Sequence, residues 1–118
     1  MGETYVTVTV RNPAEPERCW EGEFLADTGT TTSIVPRGRL EEIGIAPVTS
    51  RLVELADGSS TRLDLGTAIL SFADEDSPSA VFFGADDADP LLGTTAMQVA
   101  GVKVDPVNHC LERSKIRY

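Results

Sequence analysis

The side chains with the clearest capacity for chemistry surround Asp27. Apolar Phe24-Leu25-Ala26 run into Asp27-Thr28-Gly29, and Thr30-Thr31-Thr32-Ser33 follow at once. Gly29 lets the chain turn tightly and lets backbone approach a ligand. An aspartate delivered to such a turn by an apolar segment is held near the interior, hydrogen-bonded by backbone and hydroxyl groups. A carboxylate so placed can move a proton or activate water. The tripeptide alone is weak evidence, because an aspartate there can simply close an Asx-turn.

Other chemistries find less support. The chain has one histidine, His109, so any Ser-His or Cys-His pair depends on it. It stands in a polar turn and reads as a solvated surface residue. No G-x-S-x-G, P-loop or G-x-G-x-x-G occurs, and no cofactor is expected. Asp74-Glu75-Asp76 and Asp86-Asp87-Asp89 lack the spacing of a calcium loop and read as solvated turns, so no metal site is expected. Cys19 and Cys110 are far apart in sequence, lack the short-spaced partners of a zinc site, and read as free thiols.

The elements that must position Asp27 are mostly short strands. Thr4 to Val10 alternates β-branched and polar residues, and Cys19 to Ala26 returns after a turn at Asn12-Pro13, predicting a hairpin with a long loop. Ser33 to Val35 is a short apolar strand stopped by Pro36, and Arg37 to Ile43 is a short helix ended by Gly44. Leu52 to Ala56 and Ser60 to Leu65 flank Asp57-Gly58, a strong hairpin signal, and the second strand continues to Phe72. Ala73 to Ser79, with Pro78, reads as an acidic turn before the buried strand Ala80 to Phe83. Leu91-Leu92-Gly93 precedes a helix over Thr94 to Ala100, and strands at Val102 to Val104 and Cys110 to Glu112 follow, with a mobile basic tail. Many short strands with one or two short helices predict an all-β barrel. At 118 residues the expectation is one domain over residues 1–118.

Composition narrows the partners. The apolar fraction of 41% and charged fraction of 25% are those of an ordinary globular chain. A formal net charge of −9 argues against nucleic acid and against an anionic membrane surface. No segment has the apolar length of a membrane span, and the first residues lack the pattern of a signal peptide. Gly2 is followed by Val6 where a myristoylation motif requires Ser or Thr. The cytoplasm is the expected location.

With these elements in place, F-L-A-D-T-G-T-T-T-S-I-V-P (24–36) resembles the active-site segment of retropepsin-like aspartic proteases. Leu91-Leu92-Gly93 matches the apolar-apolar-Gly element that packs beside that segment. The stretch L-L-G-T-T-A-M-Q-V-A-G-V-K-V-D-P-V-N-H-C-L is similar to the C-terminal signature of small bacterial and archaeal members. The hairpin L-V-E-L-A-D-G-S-S-T-R-L sits between the two motifs, where the family has its flap. Order and spacing agree over roughly residues 4 to 112, far more specific than D-T-G alone.

The resemblance implies a closed barrel with a flap hairpin and an aspartic endopeptidase that hydrolyses peptide bonds. Such hydrolysis uses two aspartates sharing one proton. The chain holds one D-T-G, so the resemblance implies a two-fold homodimer with an Asp27/Asp27′ dyad on its axis. Asp27, Thr28 and Gly29 would be the catalytic element, with Thr28 locking the two loops together. Gly29, Thr30 and Thr31 on one side and Ala56, Asp57, Gly58 and Ser59 of the flap on the other would hold an extended peptide. Thr4 to Thr9 and Cys110 to Arg113 would form the sheet between subunits. Thr94 replaces the arginine, and Thr31 and Thr32 the acidic residues, of viral members. The alternative is a module of the same fold that binds extended peptides or dimerises with little or no turnover. Two chains of −9 repel, which predicts greater activity in mild acid.

Overall fold

The computed structural model describes residues 2–116. The chain begins with β1 (Tyr5–Arg11) and β2 (Cys19–Ala26), antiparallel in a register from Tyr5↔Leu25 to Arg11↔Cys19. The alternation read in the sequence decides which face goes inward: Val8 and Val10 are fully buried, while Thr7 faces out. Asn12 shapes the loop between them. Its Oδ1 accepts the Ala14 N–H at 2.9 Å, and its Nδ2 donates to the Ile43 carbonyl at 2.9 Å.

Next come β3 (Ser33–Pro36), α1 (Arg37–Glu42), β4 (Thr49–Glu54), β5 (Ser60–Phe72) and β6 (Glu75–Gly84). The described chain ends with β7 (Leu91–Leu92), α2 (Thr94–Ala100), β8 (Val102–Asp105) and β9 (Cys110–Arg113). The main sheet has the order β1-β2-β7-β3-β6-β5-β4, and a further pairing of β1 with β5, Thr9↔Ser71 to Arg11↔Ile69, closes it. The result is the expected all-β barrel, from which the β4 edge projects. Val8, Phe24, Val35, Leu70, Val81 and Leu92 fill the barrel, and Ala96 and Met97 of α2 pack onto the same core. Fully burying a side chain of this size contributes about 1.5–3 kcal/mol, so this core dominates the stability.

Several local expectations need correction. Ala73 to Ser79 is not one long turn. Ala73 (φ 52) and Asp74 (φ 61) make a two-residue reversal, and β6 starts at Glu75. Both residues are left-handed, as this tight hairpin turn demands, without the Asn or Gly that normally signals it. Pro78 lies inside β6 opposite Ile69; β3 pairs with β6 only from Val81, so the missing N–H of Pro78 interrupts no ladder on that side. The strand before Asp57 ends at Glu54 rather than Ala56, because Leu55 to Ser59 form a five-residue loop closed by Leu55 N–H to Ser59 O at 2.7 Å. The tail is less free than expected: Arg113 belongs to β9, and the Ser114 N–H donates to the Gly101 carbonyl at 2.8 Å. Residues 117–118 lie outside the described residues.

Candidate active site

Asp27 follows the last residue of β2, and its own N–H donates to the Leu92 carbonyl at 3.0 Å. That bond extends the parallel pairing Leu25↔Leu91 and Ala26↔Leu92 by one residue. The chain then reverses, with the Thr30 N–H reaching the Asp27 carbonyl at 3.2 Å. The carboxylate is held at both oxygens. Oδ1 accepts the Gly29 N–H at 2.8 Å, and Oδ2 accepts the Thr30 hydroxyl at 2.8 Å. Two donors aimed at separate oxygens fix the plane of a carboxyl group better than either alone. Asp27 is half-buried, while Thr28 and Gly29 are exposed.

The loop beneath Asp27 is stitched to Leu91-Leu92-Gly93 and the start of α2. Buried Ser33 accepts the Gly93 N–H through its Oγ at 2.9 Å. Thr94 and Thr95 donate their N–H groups to the carbonyls of Thr30 and Thr31 at 2.8 and 3.1 Å. A Cβ at Gly93 would collide with the Thr31 carbonyl. Gly93 is therefore required by close approach rather than by an unusual backbone angle.

Two of the hollows beside this loop are large. One, of about 310 Å³, is a cleft between Thr30 to Thr32 and the β4–β5 hairpin, where Val53, Leu55 and Leu63 supply an apolar wall. The other, of about 390 Å³, has Asp27 and Thr28 in its lining with Glu3, Val104, Pro106 and His109. The structure thus brings Thr30 and Thr31 together with Val53 to Leu55. Ala56, Asp57, Gly58 and Ser59 form the exposed tip beyond that wall.

The tip is ordered by its aspartate. Asp57 Oδ1 accepts the Ser59 hydroxyl at 2.5 Å and the Ser59 N–H at 2.9 Å, and these bonds, the hydroxyl foremost, hold its carboxyl below the ordinary range. Gly58 takes φ 87, the left-handed conformation for which glycine is suited.

Sequence reasoning missed three features. Asp86 of the acidic loop is not merely solvated: it accepts the Gly38 N–H at 2.8 Å and so caps α1, whose N-cap Pro36 offers no side-chain acceptor. Ser33 anchors Gly93, which only the tertiary structure reveals. His109 is exposed, yet it shares a cavity with Asp27 and lies against Gly2. Cys19 and Cys110 are free and exposed. Among the described residues no cluster of His, Cys, Asp and Glu is arranged to hold a metal ion, and no helix is long and apolar enough to cross a membrane.

No protein-family model matches the sequence, and no curated protein matches it. Among solved structures, the chain is similar to the solution structure of Simian Foamy Virus (mac) protease, at 16% identity and a TM-score of 0.50. The likeness covers 77% of this chain and 90% of that one. The chain has the fold of a retropepsin-like aspartic protease.

Proposed function

We propose that this chain is an aspartic endopeptidase whose active site is completed by a second copy. The observation that carries the reading is the Asp27 carboxylate, oriented at both oxygens by Gly29 and Thr30, on a loop whose Thr30 and Thr31 line an apolar cleft and whose Thr28 is exposed. The fold supports it, because this barrel delivers one such carboxylate per chain.

In the proposed site, Asp27 of each copy faces the other across a two-fold axis. Like charges about 3 Å apart disfavour double ionisation, so the pair holds one proton. The ionised carboxylate takes a proton from water as the water oxygen attacks the peptide carbonyl carbon. The protonated partner donates to the carbonyl oxygen, giving a tetrahedral diol; transfer of a proton to the nitrogen then breaks the C–N bond. Thr28 contacts its counterpart across the axis. Gly29, Thr30 and Thr31 offer hydrogen bonds to an extended peptide, and the β4–β5 hairpin, with Ala56 to Ser59 at its tip, closes over it. Residues 1–118 act as one domain in this reading, located in the cytoplasm, with a peptide or protein as substrate and no cofactor.

The test is cleavage of a denatured protein from mild acid to neutrality, with and without a pepstatin-type inhibitor. Wild type is expected to cut, and Asp27→Asn to lose at least about a thousandfold of that rate, since the dyad members act as a unit. Cleavage that persists in Asp27→Asn contradicts the mechanism.

A further inference from the structure

The proposed reaction leaves His109 without a task, yet the structure places this side chain with care. It is the chain's only histidine, and its backbone is left-handed at φ 53, a conformation uncommon outside glycine. Its ring lies so close to Gly2 that a Cβ there would come within 2.6 Å of Cε1. The segment from Gly2 leads to Thr4, whose carbonyl accepts the Ala26 N–H at 2.8 Å, one residue before Asp27. The turn that presents His109 is fixed by Asp105, which accepts the N–H groups of Val107 and Asn108 and the Asn108 side-chain amide. His109 is thus tied to the Asp27 strand through the N-terminal segment and to β8 through the turn.

The charges around it are one-sided. Glu3, from the N-terminal segment, and Asp27, from the loop after β2, line the same cavity, while Asp105 at the end of β8 closes the turn that carries His109. Among the described residues, His109 is the only basic side chain lining this cavity. The same surface carries exposed Thr28, and the turn beside His109 leaves Val107 80% exposed.

We infer that His109 is a proton-controlled element of the face on which a second copy docks, its protonation strengthening the pairing in mild acid. The inference rests on the two-copy site proposed above. Pairing two copies gathers two sets of Glu3, Asp27 and Asp105 and excludes water from between them, so their repulsion strengthens. A cation among these carboxylates offsets that repulsion. If the paired face binds the proton more tightly than the separate chains do, protonated chains pair more tightly. Between about pH 5.5 and 7.5 ordinary carboxylates stay ionised and Lys and Arg stay protonated, so a histidine is the side chain expected to change charge.

The experiment is sedimentation equilibrium of the full chain at about pH 5.5 and 7.5, the span over which histidine ordinarily titrates. It compares wild type with His109→Asn, whose short side chain tolerates the left-handed backbone, and His109→Lys, which keeps a cation at both values. Each is also measured with Asp27→Asn, removing the proton shared by the dyad. Wild type is expected to associate about fivefold or more tightly at the lower pH, within the usual span of coupling between sites. His109→Asn should lose that dependence, and His109→Lys should associate tightly at both values. If His109→Asn keeps the wild-type pH dependence, the inference is overturned while the two-copy site stands. If no protein associates at either pH, both fail.

Discussion

Two hairpins flank the Asp27 loop, and they are built for different tasks. Each is closed by an aspartate that accepts from residues just after it, Asp57 in the β4–β5 hairpin and Asp105 in the β8–β9 hairpin. The first has one free side: among the described residues β4 pairs only with β5, and its loop from Leu55 to Ser59 is wholly exposed. The second, among the described residues, pairs with no other strand, but it is tied down by contacts at several points. Arg113 donates to Glu75 and to the Ala73 carbonyl at 3.0 Å each, Ser114 bonds Gly101, and His109 lies on Gly2. A hairpin whose edge strand and tip touch nothing further can open at little cost, whereas one held at its turn and its end opens less readily. The first suits a cover over the cleft, and the second suits a fixed docking face.

That contrast depends on the loop between the hairpins staying rigid, so the largest expected effect comes from breaking the joint. Gly93→Ala places a methyl group against the Thr31 carbonyl, which is backbone and cannot yield cheaply. We expect a loss of about 3 kcal/mol or more, read by urea unfolding, with cleavage abolished as both hairpins lose their common support. Gly58→Val acts on the cover alone. Its neighbourhood is open space, so the strain is that of a left-handed valine, about 1–2 kcal/mol, which the exposed tip relieves by opening locally. Cleavage should fall about tenfold, mainly through peptide affinity, while the barrel unfolds almost as before. A matching loss of global stability would erase the distinction between the two hairpins.

Arg113→Ala removes the anchor of the fixed hairpin. Its partner pair is exposed, so stability should drop by about 1 kcal/mol or less, but amide exchange in β8 and β9 should quicken while β4 is unchanged. The smallest effect is that of acid on the two turns. Asp57 and Asp105 both have carboxyls held below their ordinary range, by the Ser59 hydroxyl and by the Asn108 side chain respectively. A depressed folded value means that the stabilisation is present above about pH 4, the ordinary aspartate range, and is lost as pH falls through the lower folded value. Both turns should therefore stay intact in mild acid. Amide exchange at Ser59 and Val107 should stay unchanged from neutrality to about pH 5, once corrected for intrinsic rates.

Alternation makes β1, β2 and β5 legible in the sequence. β2 and α2 have the limits read from the sequence, since apolar periodicity and Gly101, at φ 73, mark them clearly. The turn at Ala73-Asp74 was hidden because neither residue advertises a left-handed backbone, and Pro78 disguised β6 as loop. The closure of β1 onto β5 is a long-range pairing that local pattern does not encode. At the candidate site, Asp27 was legible from its motif, whereas Ser33, Asp86 and His109 were not. Their partners Gly93, Gly38 and Gly2 are distant in sequence and carry no side chain to mark the contact.

The central claim, that one chain supplies half of a catalytic site, is tested most directly by mixing. Wild type is combined with an equal amount of Asp27→Asn protein, allowed to exchange subunits, and assayed per wild-type chain. If each site needs Asp27 from both copies, random pairing leaves about half of the wild-type chains in active pairs, and activity per wild-type chain falls by about half. A larger excess of the variant should lower it further. Activity per wild-type chain that stays constant at every ratio, once exchange is verified, would show that one chain suffices and would contradict the account.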